Sequence, residues 1–289
     1  MKLKKIVGAL GVLMTVTAVG CGSSDNTAKN DITNSPSETV TKGPLSGVEE
    51  DVPGGIEITK PVQEEEFSYE LQYSLKEESE EEKDGEFVYF KSAINYPVFE
   101  GKYAENMNRF VASLTEGVRE ELFTARDNAK FDYEESKNDE YRIAMFPEEE
   151  EYIVSCIRNK EQYYTLFTKW FSYSGGAHPN TFCKAYVVDV TKGEEESFEN
   201  MIRPYGVSVE EVVEFAMTRI QSEHGDELFE TDDESALKEW IHMFTQENQW
   251  YLNDKGLVLF ANPYDIAAYA YGMIECEISY EELEQGLKK

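Results

Sequence analysis

An α+β fold follows from three patterns in the chain: one-sided alternation from Phe67, an apolar period of three and four residues from Tyr103, and a hairpin signal at Trp250–Phe260. Strands and helices are mixed without a repeated strand–helix–strand rhythm, which argues against a parallel α/β sheet. The expected architecture is antiparallel sheets with a long amphipathic helix in the N-terminal half, followed by a smaller helix-plus-hairpin C-terminal domain. At 289 residues and 40% hydrophobic, the chain has enough apolar side chains for a real core in one or two domains. No internal repeat is visible.

The N-terminus reads as a targeting segment. Lys2, Lys4 and Lys5 form a basic region, Ile6–Val19 is apolar, and Ala18-Val19-Gly20-Cys21 resembles a bacterial lipoprotein processing site. Residues 1–20 are therefore expected to be a lipoprotein signal peptide, with Cys21 lipidated as the mature N-terminus; a plain secretory signal is the alternative. Residues 21–61 are rich in Ser, Thr, Asn, Gly, Pro and acids, too polar to offset their ordering entropy, and are expected to be a disordered tether. Cleavage would remove three of the 27 basic residues and none of the 58 acidic ones, taking the formal net charge from −31 to −34. That balance excludes nucleic acid as a partner, because phosphate neutralisation is the attractive term there. It favours solubility, and it would attract a cationic partner.

Folded sequence begins near Val62, and two domains are expected, 62–195 and 196–289. Phe67, Tyr69, Leu71, Tyr73 and Leu75 define a one-sided strand, the acidic run Glu77–Asp84 is expected to turn the chain, and Glu86–Val98 returns as a second strand. Tyr103, Met107, Phe110, Val111, Leu114, Val118 and Leu122 form the stripe of the long helix, with Glu105, Arg109, Glu116 and Glu120 outside. Glu148–Glu151 reads as a solvated loop edge. Strands near Tyr152–Arg158, Tyr163–Tyr173 and Thr181–Asp189 should form an antiparallel meander. Helices are expected at Val209–Ile220 and Ala236–Phe244. In the hairpin Trp250–Leu252/Leu257–Phe260, Asn253-Asp254-Lys255-Gly256 supplies the turn and Gly256 is free to take φ > 0. A strand through Cys276 and Ile278 and a short helix at Tyr280–Leu287 close the chain. Cys156, Cys183 and Cys276 permit one disulfide, or are small buried apolar residues.

Two loops stand out. Ser174-Gly175-Gly176-Ala177-His178-Pro179-Asn180 follows the aromatic strand end Trp170–Tyr173, and Asn262-Pro263-Tyr264-Asp265 leads into Tyr269 and Tyr271. His178 invites a reading as base or metal ligand, but His224 and His242 are distant, and there is no HExxH, GxSxG, phosphate loop or dinucleotide fingerprint. No catalytic residue, metal ligand or cofactor is assigned. Glu199, Asp265 and Glu230–Glu234 are imaginable acids or Ca²⁺ ligands, but among 58 acids a chance cluster is expected, and EF-hand spacing is missing. Tyr264, Tyr269 and Tyr271 either pack a core, the commoner outcome, or line a binding surface.

These motifs carry a resemblance. Trp170–Asn180, ending SYSGGAHPN, Trp250–Tyr271, and the strand end Ile94–Gly101 before the long helix are similar to the signatures of a bacterial extracytoplasmic family. Its members include the outer domains of lysozyme-sensing anti-sigma factors (RsiV-like) and the N-terminal modules of some peptidoglycan deacetylases (PdaC-like). The resemblance spans roughly Val62 to Leu287, with Ala268 standing where a proline is common and Ala261 replacing a bulkier residue. It implies a surface location and a binding role; with the lipoprotein signal, the expectation is a lipid-anchored, extracytoplasmic, non-enzymatic binding protein on the bacterial cell membrane, recognising peptidoglycan or a cationic, lysozyme-like protein. A sigma-binding segment and a metal-dependent catalytic domain are not expected here. The alternatives are a small cell-wall-modifying hydrolase using His178 with a carboxylate, and an accessory subunit of a surface complex. The two loops are expected to lie near each other, with Tyr173, Gly175, Gly176, His178, Asn180, Asn262, Tyr264, Asp265 and Tyr269 as ligand-binding residues.

Overall fold

The computed structural model describes residues 71–158, 162–229 and 233–288. The signal, Cys21, the tether, the strand start at Phe67–Glu70 and most of Glu230–Glu234 lie outside the described residues. The first strand, β1 (Leu71–Asp84), runs straight through the acidic run, and the chain turns only at Gly85-Glu86 before β2 (Phe87–Gly101). The acids stay in the strand because they find partners. Tyr96 donates to Glu78 at 2.6 Å, and Arg119 and Arg126 of the following helix pair with Glu78 and Glu80 at 2.9 and 3.3 Å. Hydrogen bonds from Tyr96 and then Lys76 hold the Glu78 carboxyl down at about 2. The inward face also changes along the strand: Leu71 is buried, Leu75 is exposed, and Glu78 and Glu80 turn toward the helix.

Helix α1 (Ala104–Ser136) realises the expected stripe and extends it. Met107, Val111, Val118 and Leu122 pack on Ile94, Phe99, Val154 and Leu166 of the sheet. Beyond Leu122, Ala129 and Tyr133 continue the buried face against Tyr89 and Phe90. This 33-residue crossover, with the short α2 (Glu140–Ile143), returns the chain so that β3 (Glu148–Arg158) runs parallel to β2. Thus one parallel pair sits in a sheet otherwise antiparallel as expected. β3, β4 (Tyr163–Tyr173) and β5 (Asn180–Asp189) form the meander, and β6 (Glu194–Glu195) ends the six-stranded order β1-β2-β3-β4-β5-β6.

The acidic run Glu148–Glu151 is the start of β3, half-buried, rather than a solvated loop edge. Trp170 and Ser172 donate to Glu150 at 2.5 and 2.7 Å, and Asn95 donates to Glu151. Glu148 has no comparable donor among the described residues. Desolvation, and then the charges of Asp132 and Glu150, push its carboxyl up to about 7.

Helices α3 (Phe198–Ile202), α4 (Val209–His224) and α5 (Asp233–Gln246) follow. Ser208 and Glu211 cap α4 reciprocally, the arrangement expected where Ser-x-x-Glu opens a helix. The small sheet β7 (Trp250–Leu252), β8 (Gly256–Ala261) and β9 (Ile274–Ser279) is antiparallel, and α6 (Tyr280–Glu284) ends the fold. Every residue of β8 is buried. Leu257, Leu259 and Ala261 face Val212, Ile220 and Phe244 of the helices, while Val258 and Phe260 face Phe167, Cys183 and Ala185 of the large sheet. The layers are therefore α1, the large sheet, the small sheet, and the C-terminal helices. Cys156, Cys183 and Cys276 are all buried free thiols. No described helix is long and apolar enough to cross a membrane.

Gly256 does not use a positive φ, contrary to the expectation for its turn. Asn253 Oδ1 makes the turn by accepting from the backbone N–H of Lys255 and Gly256, each at 2.8 Å. The glycine is required by close approach, since a Cβ there would fall 2.1 Å from the Ile278 carbonyl oxygen of β9. Gly256→Ala is expected to destabilise the fold by about 2–3 kcal/mol in urea unfolding, because the clash is with backbone. A second expectation concerns pH. Folded Glu148 keeps its proton to about 7 against a reference of 4.5, so the folded state binds more protons in that window and stability falls as pH rises through it. Glu148→Gln should add about 1 kcal/mol at pH 8 and little at pH 4.5, the full shift being discounted because the group is half-exposed.

Candidate functional site

The loop after β4 and the loop after β8 meet at one surface. Tyr173 donates its hydroxyl to the Gly176 carbonyl at 3.3 Å and closes the first loop on itself. Gly175 (φ 86°) packs so near Met145 that a Cβ would come within 2.7 Å of the Met145 Cβ, so this glycine too is set by both conformation and space. His178 follows, half-buried. Its Nδ1 lies 2.9 Å from the Pro179 carbonyl, which only accepts, so Nδ1 carries the proton and Nε2 accepts from the Tyr264 hydroxyl at 3.2 Å. The imidazole stacks on the Tyr269 ring with centroids 3.8 Å apart and planes 12° apart. Tyr264 is tilted against both.

The second loop is a tight turn. Asp265 N–H donates to the Asn262 carbonyl at 3.0 Å, Pro263 takes the first central position, and Tyr264 takes the second with φ 75°. Positive φ at that position is the type II requirement usually met by glycine, so tyrosine there costs about 1–2 kcal/mol of backbone strain. The strained side chain is also 53% exposed, and Tyr271 is 39% exposed. The tyrosines of this loop thus make a surface rather than a core, with Tyr269 the more covered, beneath His178.

The turn is held from below by amides. Asn262 is buried; its Oδ1 accepts from Cys183 N–H at 2.7 Å and its Nδ2 donates to Cys183 C=O at 3.1 Å. Asp265 Oδ2 accepts from Asn262 N–H at 2.7 Å and from Gln249 Nε2 at 2.5 Å. Desolvation lifts the Asp265 carboxyl above the usual range. One side of Asp265 stays open to water, and both hydrogen bonds favour the charged form, so that rise is limited. Next to it, the Ala185 N–H donates to the Asn248 carbonyl at 2.7 Å.

Family models match both halves. Residues 83–181 match one described as "Deacetylase PdaC", and residues 199–281 match one described as "Protein of unknown function (DUF3298)". The chain pairs a PdaC segment with a DUF3298 segment. A crystal structure of a DUF3298 family member from Bacteroides fragilis shares the fold, with 14% identity, TM-score 0.51, and coverage of 76% of this chain and 93% of that one. A DUF3298 family protein from Pseudomonas aeruginosa matches at 13% identity and TM-score 0.45, over 74% and 92% of the two chains. Comparison with curated proteins gives no match.

The site lies where the two segments meet. His178 and its glycines belong to the PdaC match, and Tyr264 and Tyr269 to the DUF3298 match. Of the expected ligand residues, the fold brings His178, Tyr264 and Tyr269 into contact. Tyr173, Gly175 and Gly176 shape the first loop beside them, and Asn180 is an exposed residue at the start of β5. Asn262, buried, and Asp265, partly open to water, act as supports of the turn. The His178 nitrogens are taken by a carbonyl and a phenol rather than by the carboxylate that a general-base pair would need. Among the described residues, no group of three or more His, Cys, Asp or Glu is placed to hold a metal. Asn248 and Gln249 were not legible as supports, since their partners are a strand edge and an acid 16 residues away. Asn262→Ala would leave the Cys183 N–H and C=O buried without partners, and a loss of about 2–4 kcal/mol is expected in chemical denaturation. Asn262→Asp should do no better, because a carboxylate oxygen would replace the donor facing the Cys183 carbonyl. Faster hydrogen exchange at Cys183 in both variants would localise the effect.

Proposed function

We propose that the protein is a lipid-anchored binding module on the outer face of a bacterial membrane, where the His178–Tyr264–Tyr269 surface docks a cationic protein such as lysozyme. The observation that carries this reading is Tyr264, exposed and held at φ 75° on a rigid turn. Strain kept at an exposed aromatic points to a use outside the fold. Tyrosine is enriched among interface hot spots because it offers a large rigid contact with a polar tip. A formal net charge of −31 supplies attraction for a basic partner and speeds encounter. The lysozyme-sensing relatives implied by the sequence motifs support the same partner class, and the lipoprotein-like segment at Cys21 supports the location.

The site is an open aromatic surface, which suits a protein face; a glycan strand of peptidoglycan stacking on the same rings is the second reading. Both are binding roles. The His178 geometry favours them over hydrolysis, since neither ring nitrogen is free to take a proton from water.

Tyr264→Gly separates binding from stability. It removes the exposed ring and relieves the positive φ, so stability should hold or rise by up to about 1 kcal/mol. Affinity for lysozyme, measured by calorimetry with the chain from residue 22 onward, should fall about tenfold or more, and wild-type affinity should weaken with added salt. Absence of salt-sensitive binding to lysozyme and to other basic proteins would defeat the proposal. Binding to soluble peptidoglycan fragments alone would transfer the site to the glycan reading.

A further inference from the structure

Asp265 also borders a second feature, a cleft of about 920 Å³ lined by α4, α5, the segment Gly225–Phe229 and the Asp265–Ile266 turn. Among the described residues, Met217, Leu228, Trp240, Met243 and Ile266 give it an apolar wall. The wall is tied to the tyrosine-bearing loop: Phe229 N–H donates to the Ile266 carbonyl at 2.8 Å, and Leu228 pairs with Ala267. The volume is that of a small-molecule site, and two flexible methionines suit ligands of variable outline.

Charge is unevenly placed around it. Glu239, Glu247 and Asp265 line the cleft, against Lys238 and His242, with His242 Nε2 at 3.4 Å from Glu247. Asp265 uses Oδ2 for its hydrogen bonds, and Oδ1 accepts none among the described residues. Behind it, Gln249 Nε2 holds Oδ2 in place. Carboxylates therefore outnumber cationic side chains among the described residues where the apolar wall ends. Glu247 and Asp265 together disfavour an anion there and favour a cation. Desolvation, and last the Glu247 charge, act to raise the Asp265 carboxyl, and a cation bound there would oppose that rise.

We infer that this cleft binds an amphipathic cation, with an apolar body against Trp240, Met217, Met243, Leu228 and Ile266 and an ammonium or guanidinium head at Asp265 and Glu247. The inference is separate from the docking surface, because neither His178 nor Tyr264 lines the cleft. Apolar burial supplies affinity and the carboxylates supply selection by charge.

Decylamine, below its micelle-forming concentration, is the probe, with decanol and decanoate as matched controls. Calorimetry on the chain from residue 22 onward should show saturable one-to-one binding of decylamine, about tenfold tighter than decanol, with decanoate weaker still. Quenching of tryptophan fluorescence that disappears in Trp240→Phe would place the probe. Glu247→Gln, on an exposed side chain and so harmless to folding, should weaken decylamine about tenfold and leave decanol unchanged. Asp265→Asn should do the same, while Tyr264→Gly should not. Equal affinity for decylamine and decanol, indifference to Glu247→Gln and Asp265→Asn, or no saturable binding of decylamine would each overturn the inference.

Discussion

The side chain of Asn262 joins the two halves of the molecule. β5 is paired by β4 along its length, but on its other edge β6 reaches only Val188 and Asp189. The Cys183 N–H and C=O would otherwise be buried and unpaired, at about 1–3 kcal/mol each. A primary amide carries an acceptor and a donor at the spacing of a peptide group, so Asn262 can take the place of a missing strand. The backbone of Asn248 continues that substitute edge at Ala185. The small sheet is thus fastened to the large one by polar contacts beside the apolar cluster of Phe167, Tyr251 and Phe260. Hydrophobic burial brings the layers together, and the amide fixes their register, since apolar packing alone is not directional.

The same device occurs at the other end of the sheet. β2 runs past its pairing with β3, and there Asn108 of α1 accepts from Phe99 N–H at 2.8 Å and donates to Phe99 C=O at 2.9 Å. Two asparagines, one on a helix and one in a loop, therefore satisfy strand positions that neighbouring strands leave open. At β5 the gap exists because β6 is only two residues long, and at β2 it exists because β2 and β3 separate beyond Asn95 and Ile153 although both continue.

These contacts explain which parts of the fold could be read from the sequence. The stripe of α1, the helix at Val209–Ile220 and the hairpin around Asn253 were legible, because each is written within a few neighbouring residues. The acidic runs were misread for the opposite reason. Glu77–Asp84 and Glu148–Glu151 look like solvated turns only while their partners are unknown, and those partners, Tyr96, Arg119, Arg126, Trp170 and Ser172, are brought by tertiary structure. The parallel pairing of β2 with β3 was hidden similarly. Without repetition, one helix crossover leaves no rhythm, and only the 33-residue length of α1 carries the chain back far enough. At the site, the aromatic and glycine-rich loops were conspicuous, whereas the supporting roles of Asn248 and Gln249 depend on contacts no local pattern encodes.

The exposed tyrosine and the buried clamp are parts of one construction. A non-glycine residue stays at positive φ only where surrounding bonds over-determine the backbone. For Tyr264 those bonds are the Asn262–Asp265 turn, the Asp265 carboxylate beneath it, and Gln249, which holds that carboxylate from a fully buried position. Each of them lies at the junction of the PdaC and DUF3298 segments or is tied to it through Asn262. A ring held in this way loses little freedom when a partner arrives, which lowers the entropic cost of binding. The same coupling works in reverse: any change that loosens the Cys183 clamp also frees the backbone of Tyr264. The proposed docking role of this surface therefore depends on the integrity of the joint more closely than on the stability of either half.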